Sequence, residues 1–351
     1  MASIDVTILG AGVFGLSIAW ACQKRGARVR VIDPHGVAAG ASGGIVGALA
    51  PHVPENWNDK KAFQLDSLLM AEQFWQEIEA ASGQQSGYGR TGRLQPITDA
   101  RALELAQARA RTASELWGDN AVWQVVDAGA AWAPPSATGR LIYDSLSARI
   151  HPRRACTALA TALCEGGADI VAEGRVAGQV VDCTGWQGLM QLSAEMGQPV
   201  GNGVKGQAML LQYDASDAPQ LFADALHIVP HNDGTVAIGS TSEREFEHPT
   251  TVDAALDDVH ARAIRAFPIL ADAPVIKRWA GVRPRCKSRA PMLGAHPQRT
   301  GGFIANGGFK IGFGMAPKVA QVMADLVLEG RDRIPAGFRP EASLGNGGKT
   351  A

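Results

Sequence analysis

Net charge is almost absent. Across 351 residues, 33 Lys and Arg oppose 34 Asp and Glu, a formal net charge of −1. That balance offers no basic surface for nucleic acid. No apolar run reaches the ~18 residues that cross a bilayer. The apolar stretch after residues 4–9 is broken by glycines, so neither a membrane span nor a signal peptide is expected, and a cytoplasmic location follows as the default. Cysteine is sparse and scattered, at positions 22, 156, 164, 183 and 286. An odd count without a C-x-x-C pair or paired Cys/His spacing argues against a disulfide framework and against a bound metal. Cys22 and Cys183 lie in apolar patterns, as small core residues do. Tyrosine is rarer still, with three in the chain. Glycine is plentiful at 41, but it follows no period, which excludes collagen-like and solenoid architectures.

The length suits two domain-sized units of about 100–200 residues each. Residues 4–9 read as a buried strand, followed by a glycine turn and a helix to about residue 25, with Gly26 as its stop. A second strand covers 28–32 and ends at Asp33, completing a βαβ unit. Residues 36–47 are rich in Gly and Ala and nearly uncharged. Helices are expected over 63–81, 101–117, 152–164 (with Pro152 near its start), 252–266 and 316–328. Strands are expected over 168–172, 179–183, 204–212, 227–230, 235–239 and 303–305, with a turn at Asn232-Asp233-Gly234. The tail after Gly330 is expected to be loose. Parallel βα segments lie at both ends and in the middle, with mixed material between them. The expected class is therefore α/β, with a discontinuous Rossmann-type nucleotide domain. Into it an α+β domain on an antiparallel sheet is inserted twice.

Gly10-x-Gly12-x-x-Gly15 follows a strand and opens a helix, and Asp33 closes the next strand at about the ~20-residue distance of a dinucleotide fingerprint. Gly10 makes the tight turn, Gly12 admits a pyrophosphate, and Gly15 lets helix pack on strand. The helix start at Val13 and Phe14 offers amides and roughly half a positive charge to the phosphates. Asp33 can accept hydrogen bonds from ribose hydroxyls. The fingerprint alone does not choose between FAD and NAD. The following segment, Ala41-Ser42-Gly43-Gly44-Ile45-Val46-Gly47-Ala48-Leu49-Ala50-Pro51, does, because a long small-residue loop suits backbone lying against a large flat ligand.

At this loop the chain resembles the D-amino-acid oxidase superfamily of FAD-dependent oxidoreductases, in particular its glycine oxidase branch. Further matches occur in order along the chain. They are Arg175-Val176, Asp182-Cys183-Thr184-Gly185-Trp186, and His227-Ile228-Val229-Pro230 with Asp233-Gly234 and Ile238-Gly239. Trp279-Ala280-Gly281-Val282-Arg283-Pro284 and Asn306-Gly307-Gly308-Phe309-Lys310-Ile311-Gly312 complete the set. The resemblance implies one FAD, with residues 1–54, 145–203 and 280–340 forming its domain. Residues 55–144 and 204–279 then form the substrate domain, and 341–351 a loose tail.

By the same resemblance, Ala41, Ser42, Val46, Gly47 and Ala48 pass the flavin ring. Val176 meets adenine, and Thr184 and Gly185 lie beside the cofactor. The amides of Lys310, Ile311 and Gly312, just before a helix, would stabilise negative charge on the flavin. Arg283, in the family's Gly-x-Arg-Pro segment, is the expected carboxylate clamp, since its planar fork suits bidentate binding. Gly308 would present a carbonyl to the substrate amine. His227 stands where glycine oxidases carry a Tyr and is expected to reach the pocket, with His52 a weaker candidate. Cys286 lies near where some sarcosine oxidases attach FAD. Its neighbours Arg285 and Lys287 are expected to lower its pKa, yet non-covalent FAD is the expectation.

The activity implied is FAD-dependent oxidative deamination of glycine, sarcosine or a small D-amino acid. Hydride passes from Cα to flavin N5, giving a 2-oxo acid, ammonia or amine, and hydrogen peroxide from molecular oxygen. The alternatives are a dehydrogenase of the same fold that passes electrons to a quinone or partner protein, and a catalytically silent FAD-binding subunit. Arg283 argues against the latter, and oligomer formation is left open.

Overall fold

The computed structural model describes residues 3–344. The chain begins with β1 (Val6–Leu9), α1 (Val13–Gln23) and β2 (Val29–Ile32), the βαβ unit expected from the glycine pattern. Nine of the eleven α1 residues are buried, so this helix is enclosed on all sides rather than amphipathic. Gly15 permits that enclosure, since a Cβ there would lie 2.0 Å from the Gly10 carbonyl oxygen.

Next come β3 (Ala48–Leu49), α2 (Asp59–Ser82), β4 (Arg93–Pro96), α3 (Ala100–Trp117), β5 (Trp123–Asp127), β6 (Arg140–Asp144), β7 (Ala148–Arg149) and α4 (Pro152–Glu165). Helix α2 starts before the expected residue 63 because the Asn58 side chain caps the Lys60 and Lys61 amides. Strands β4, β5 and β6 escaped the pattern reading because they are short and mix Arg, Gln and Pro with their apolar residues. The chain continues through β8 (Asp169–Val171), β9 (Gln179–Asp182), α5 (Gly185–Glu195), β10 (Gly201–Gln212), β11 (Gln220–Ala223), β12 (Leu226–Pro230) and β13 (Thr235–Gly239). It ends with α6 (Ala254–Ala266), β14 (Val275–Cys286), β15 (Met292–Ala295), β16 (Gly302–Asn306), α7 (Gly312–Glu329) and α8 (Glu341–Leu344).

The strands form an α/β fold with two main sheets. A six-stranded sheet runs β15-β16-β9-β1-β2-β8 and is parallel except at its β15 edge. An eight-stranded sheet runs β14-β10-β13-β12-β11-β4-β6-β5 and is antiparallel except where β11 meets β4. The chain leaves β1 for β2 on one side while β9 flanks it on the other. Such a reversal opens a crevice at the carboxyl ends of the strands, the usual ligand position in an open α/β sheet. Large buried side chains such as Ile8, Leu16, Ile18 and Leu159 fill the core around the first sheet, each worth about 1.5–3 kcal/mol of burial. A second core, with Leu211, Ile228, Ile238 and Leu256, lies between the second sheet and α6.

We propose that the two sheets mark two domains. The expected division departs from them at three points, the first being the 203/204 boundary, which falls inside β10. The expected 279/280 boundary falls inside β14, which pairs continuously with β10 across that point. Helix α2, expected in the substrate domain, packs against α7 and α4 instead. The tail is also corrected where it is described. Phe338 is 1% exposed, with its ring 4.7 Å from that of Phe63, so apolar burial ties this segment down. Residues 345–351 of the expected tail lie outside the described residues.

Candidate active site

A cavity of about 1070 Å³ occupies the crevice and continues to the face of the eight-stranded sheet. That is the upper end of the ~300–1,000 Å³ typical of small-molecule and cofactor sites. Asp33 is the sole acidic residue among those lining it. Its carboxylate accepts the Ala11 N–H at 2.8 Å and the His35 N–H at 2.9 Å. Gly10 has φ +107°, and a Cβ there would lie 2.5 Å from the Cys183 carbonyl oxygen, so the turn admits glycine alone. Gly12, Val13 and Phe14 line the cavity at the start of α1. Ser42 Oγ accepts the Val13 N–H at 3.0 Å, fastening the small-residue loop to the helix. Ala41, Val46, Gly47 and Ala48 continue that wall, Thr184 and Gly185 add the start of α5, and Gly308, Lys310 and Gly312 the start of α7.

The capping pattern separates these helices from the rest. The N-cap residues of α2, α3, α4 and α6 all accept backbone N–H groups through their side chains. Those of α1, α5 and α7 provide no such bond, and of the helices whose first residues line the main cavity only α4, which begins at Pro152, is capped this way. At α1 the Val13 amide, expected to face a phosphate, is taken by Ser42; the remaining amides of these three helix ends converge on one cavity and suit a ligand that carries negative charge along its length. A flavin dinucleotide fits this donor set. The Asp33 carboxylate would meet ribose, the α1 start the pyrophosphate, and the α7 start the flavin ring.

At the part of the cavity that meets the eight-stranded sheet, Arg283 projects from β14. It is 9% exposed. Its Nη1 donates to Ser240 Oγ at 3.2 Å and its Nη2 to the Thr241 carbonyl at 2.8 Å, while Nε has no partner among the described residues. Burial pushes its pKa down to about 10, against the opposing pull of Glu243, so the guanidinium stays charged at neutral pH. The Glu243 carboxylate is itself held by Lys205 at 3.4 Å and by Gln207 at 3.1 Å. Arg283 is thus a buried cation with no salt-bridge carboxylate among the described residues, facing a cavity.

His227 lines the same end from β12, its ring 4.8 Å from Phe222. Burial, then Arg93 and Lys310, push its pKa down to about 3, and Nδ1 has no partner among the described residues. The imidazole is therefore neutral. His52 is bound to Gln64 through both its N–H and Nδ1 and borders a smaller side cavity.

Several expectations are corrected. Val176, whose backbone is expected to meet adenine, lies 48% exposed in the surface loop after β8, outside the main cavity lining. The Ile311 N–H donates to the Gly308 carbonyl at 2.9 Å, so it is not free for a flavin, and Ile311 borders only the side cavity. The same bond occupies one lone pair of the Gly308 oxygen and leaves the other for an amine. Gly15 serves helix packing and does not line the cavity. Cys286 is 2% exposed and lies outside the cavity lining. Burial pushes its thiol up to about 12, the reverse of the expected lowering. Arg285 precedes it on the strand and turns to the other face, over the Phe309 ring.

The sequence reading missed Gly206, Ser240, Thr241 and the Phe309 side chain, all of which shape the Arg283 end. Gly239 signalled a strand end, yet nothing local reveals that the next two residues hold an Arg more than forty positions away.

Residues 5–326 match the family model described as DAO, FAD dependent oxidoreductase. The chain is 27% identical over 379 residues to a glycine oxidase of Pseudomonas putida, covering 98% of this chain and 100% of that protein. It is also 27% identical to a bifunctional protein ThiO/ThiG of a Synechocystis species, covering 93% of this chain and spanning about half, 52%, of that relative. The crystal structure of glycine oxidase from Geobacillus kaustophilus superposes with a TM-score of 0.83 at 23% identity, covering 95% of this chain and 97% of that one.

Proposed function

The chain belongs to the DAO family of FAD-dependent oxidoreductases, and on that premise we propose that it oxidises the Cα–N bond of a small amino acid. The observation that carries this reading is Arg283, a buried guanidinium with no salt-bridge partner among the described residues, lining the cavity from the eight-stranded sheet. A substrate carboxylate supplies the missing charge and forms a charge-assisted pair stronger than a neutral hydrogen bond. Ser240 and Thr241 hold the guanidinium in place, so little order is lost when the carboxylate binds. The second lone pair of the Gly308 oxygen is available to the amine. The neutral His227 ring adds a polar wall without competing for a proton above about pH 4.

Bound FAD would supply the two-electron acceptor for converting the substrate amine to an imine, and molecular oxygen would then accept the electrons to give hydrogen peroxide. Hydrolysis of the imine yields the 2-oxo acid and ammonia or amine. The amide end of α7, uncapped by any side chain at Ile311, would favour negative charge on the part of the cofactor it faces.

The test follows peroxide release and flavin bleaching while glycine, sarcosine, D-alanine and their relatives are presented to the FAD-loaded enzyme. Bleaching by an amino acid without peroxide would favour a different electron acceptor. No bleaching by any amino acid or amine would overturn the reading.

A further inference from the structure

Arg283 and Lys310 both line the main cavity, and neither forms a salt bridge among the described residues. Three cations surround one aromatic ring there. The Phe309 ring centroid is 5.8 Å from Arg283 Cζ, 5.5 Å from Arg285 Cζ and 5.8 Å from Lys310 Nζ. Arg285 likewise has no salt bridge among the described residues. A ring face offsets part of such crowding, but like charges held together normally recruit an acid; among the described residues none pairs with these three, and Glu243 pulls on Arg283 only from beyond salt-bridge distance.

Lys310 also borders the side cavity, of about 210 Å³, which shares Ala48, Phe222 and His227 with the main one. Twelve residues line that annex, and none is acidic. Arg93 lies in its wall, bonded through Nε to the buried Asp144 at 3.0 Å. The unpartnered Nδ1 of His227 is buried beside it. One monocarboxylate on Arg283 leaves Lys310 and this annex without a partner.

We propose that the annex is a second anion subsite, with Lys310 as its anchor, and that the preferred substrate is a small amino acid or secondary amine carrying two carboxylates. This rests on the amino-acid oxidation reading above. Arg283 takes the carboxylate next to the reacting carbon, and Lys310 takes the distal one. The second carboxylate arises from either side of the nitrogen. In iminodiacetate it sits on the nitrogen substituent, and in D-aspartate or D-glutamate on the side chain.

Two measurements test the subsite. The first titrates the FAD-loaded enzyme with succinate and with acetate, neither of which can be oxidised at an amine, and follows the visible spectrum of the bound flavin. Succinate is expected to bind at least about tenfold tighter, the scale of one added charge-assisted contact. Lys310→Met should abolish that preference, Lys310→Arg should keep most of it, and Arg283→Ala should weaken both ligands. The second compares kcat/KM for iminodiacetate against sarcosine, and for D-aspartate and D-glutamate against D-alanine. The favoured pair identifies which side of the nitrogen carries the distal group.

Equal binding of succinate and acetate by the wild type would overturn the subsite, as would equal loss of both in Lys310→Met, with the oxidase reading left standing. A succinate preference that depends on Lys310, in an enzyme whose flavin no amine bleaches, would uphold the subsite and overturn the oxidase reading.

Discussion

The guanidinium of Arg283 lies across Gly206: a Cβ built on Gly206 would sit 1.4 Å from Nη2. The two residues occupy neighbouring strands, with Gly206 opposite Gly281 and Val204 opposite Arg283 in the β10–β14 register. Absence of a side chain on one strand therefore makes the bed in which the charge of the other strand rests.

Gly206→Ala should displace Arg283 and raise KM for an amino acid by at least about tenfold with FAD content unchanged, since a charge-assisted contact is worth roughly 1.5–3 kcal/mol. Arg283→Ala, which removes the cation outright, should cost at least as much in kcat/KM. Steady-state kinetics on both variants, with flavin content read from the spectrum, checks this. An unchanged KM in Gly206→Ala would show that the carboxylate does not rest on Arg283.

Non-covalent FAD is the expected result for Cys286. Its Sγ packs against the Gly307 backbone, where an added Cβ would lie 2.1 Å from the sulfur, and burial keeps it a thiol rather than the nucleophilic thiolate. Acid precipitation should leave yellow FAD in the supernatant for wild type and Cys286→Ser alike. Flavin that pellets with wild type but not with the variant would contradict this.

Gly10→Ala combines a left-handed backbone with a backbone clash at Cys183, and should cost about 2 kcal/mol or more. It should also weaken FAD retention, because the turn sets the α1 amides. Gly129 serves as the comparison, with open space around it and no left-handed φ. Its change to Ala should stay within about 0.5 kcal/mol. Thermal unfolding of both variants, with and without FAD, provides the check, and equal midpoints would refute the steric account.

Acid should destabilise the protein before its carboxylates titrate. The folded pKa values of His227 and of His151, the N-cap of α4, lie at about 3 and about 4, chiefly because burial disfavours the charged ring, below the ~6.5 of an unfolded chain. As pH falls through that value the unfolded state takes up protons that the folded state refuses, so stability is lost downward from pH ~6.5. Each ring contributes up to about 1.4 kcal/mol per pH unit until its folded pKa is reached. The unfolding midpoint should therefore drop between pH 7 and 4.5, less steeply in His227→Gln. A midpoint independent of pH over that range would be inconsistent with two half-buried rings held neutral.

The nucleotide half of the molecule was legible in the sequence because its determinants are local. Gly10, Gly12, Gly15 and Asp33 act within one βαβ unit, where the turn, the helix start and the strand end are set by neighbours in the chain. The Ala41–Gly47 loop and the glycine-rich run before α7 were legible for the same reason, as backbone that no bulky side chain could replace. The family resemblance extended this to Arg283 and Gly308.

The tertiary structure alone decided what surrounds them. Strand pairing brings Gly206 beneath Arg283 and sets Ser240 and Thr241 as its tethers. A hydrogen bond to Gly308 takes the Ile311 amide away from the cofactor. Burial, rather than the charge of sequence neighbours, fixes the state of Cys286 and His227. The convergence of Arg283, Arg285 and Lys310 on one Phe309 ring is likewise a product of packing. Distances across a sheet and the loss of water on burial belong to the assembled fold, and no local pattern of residues encodes them.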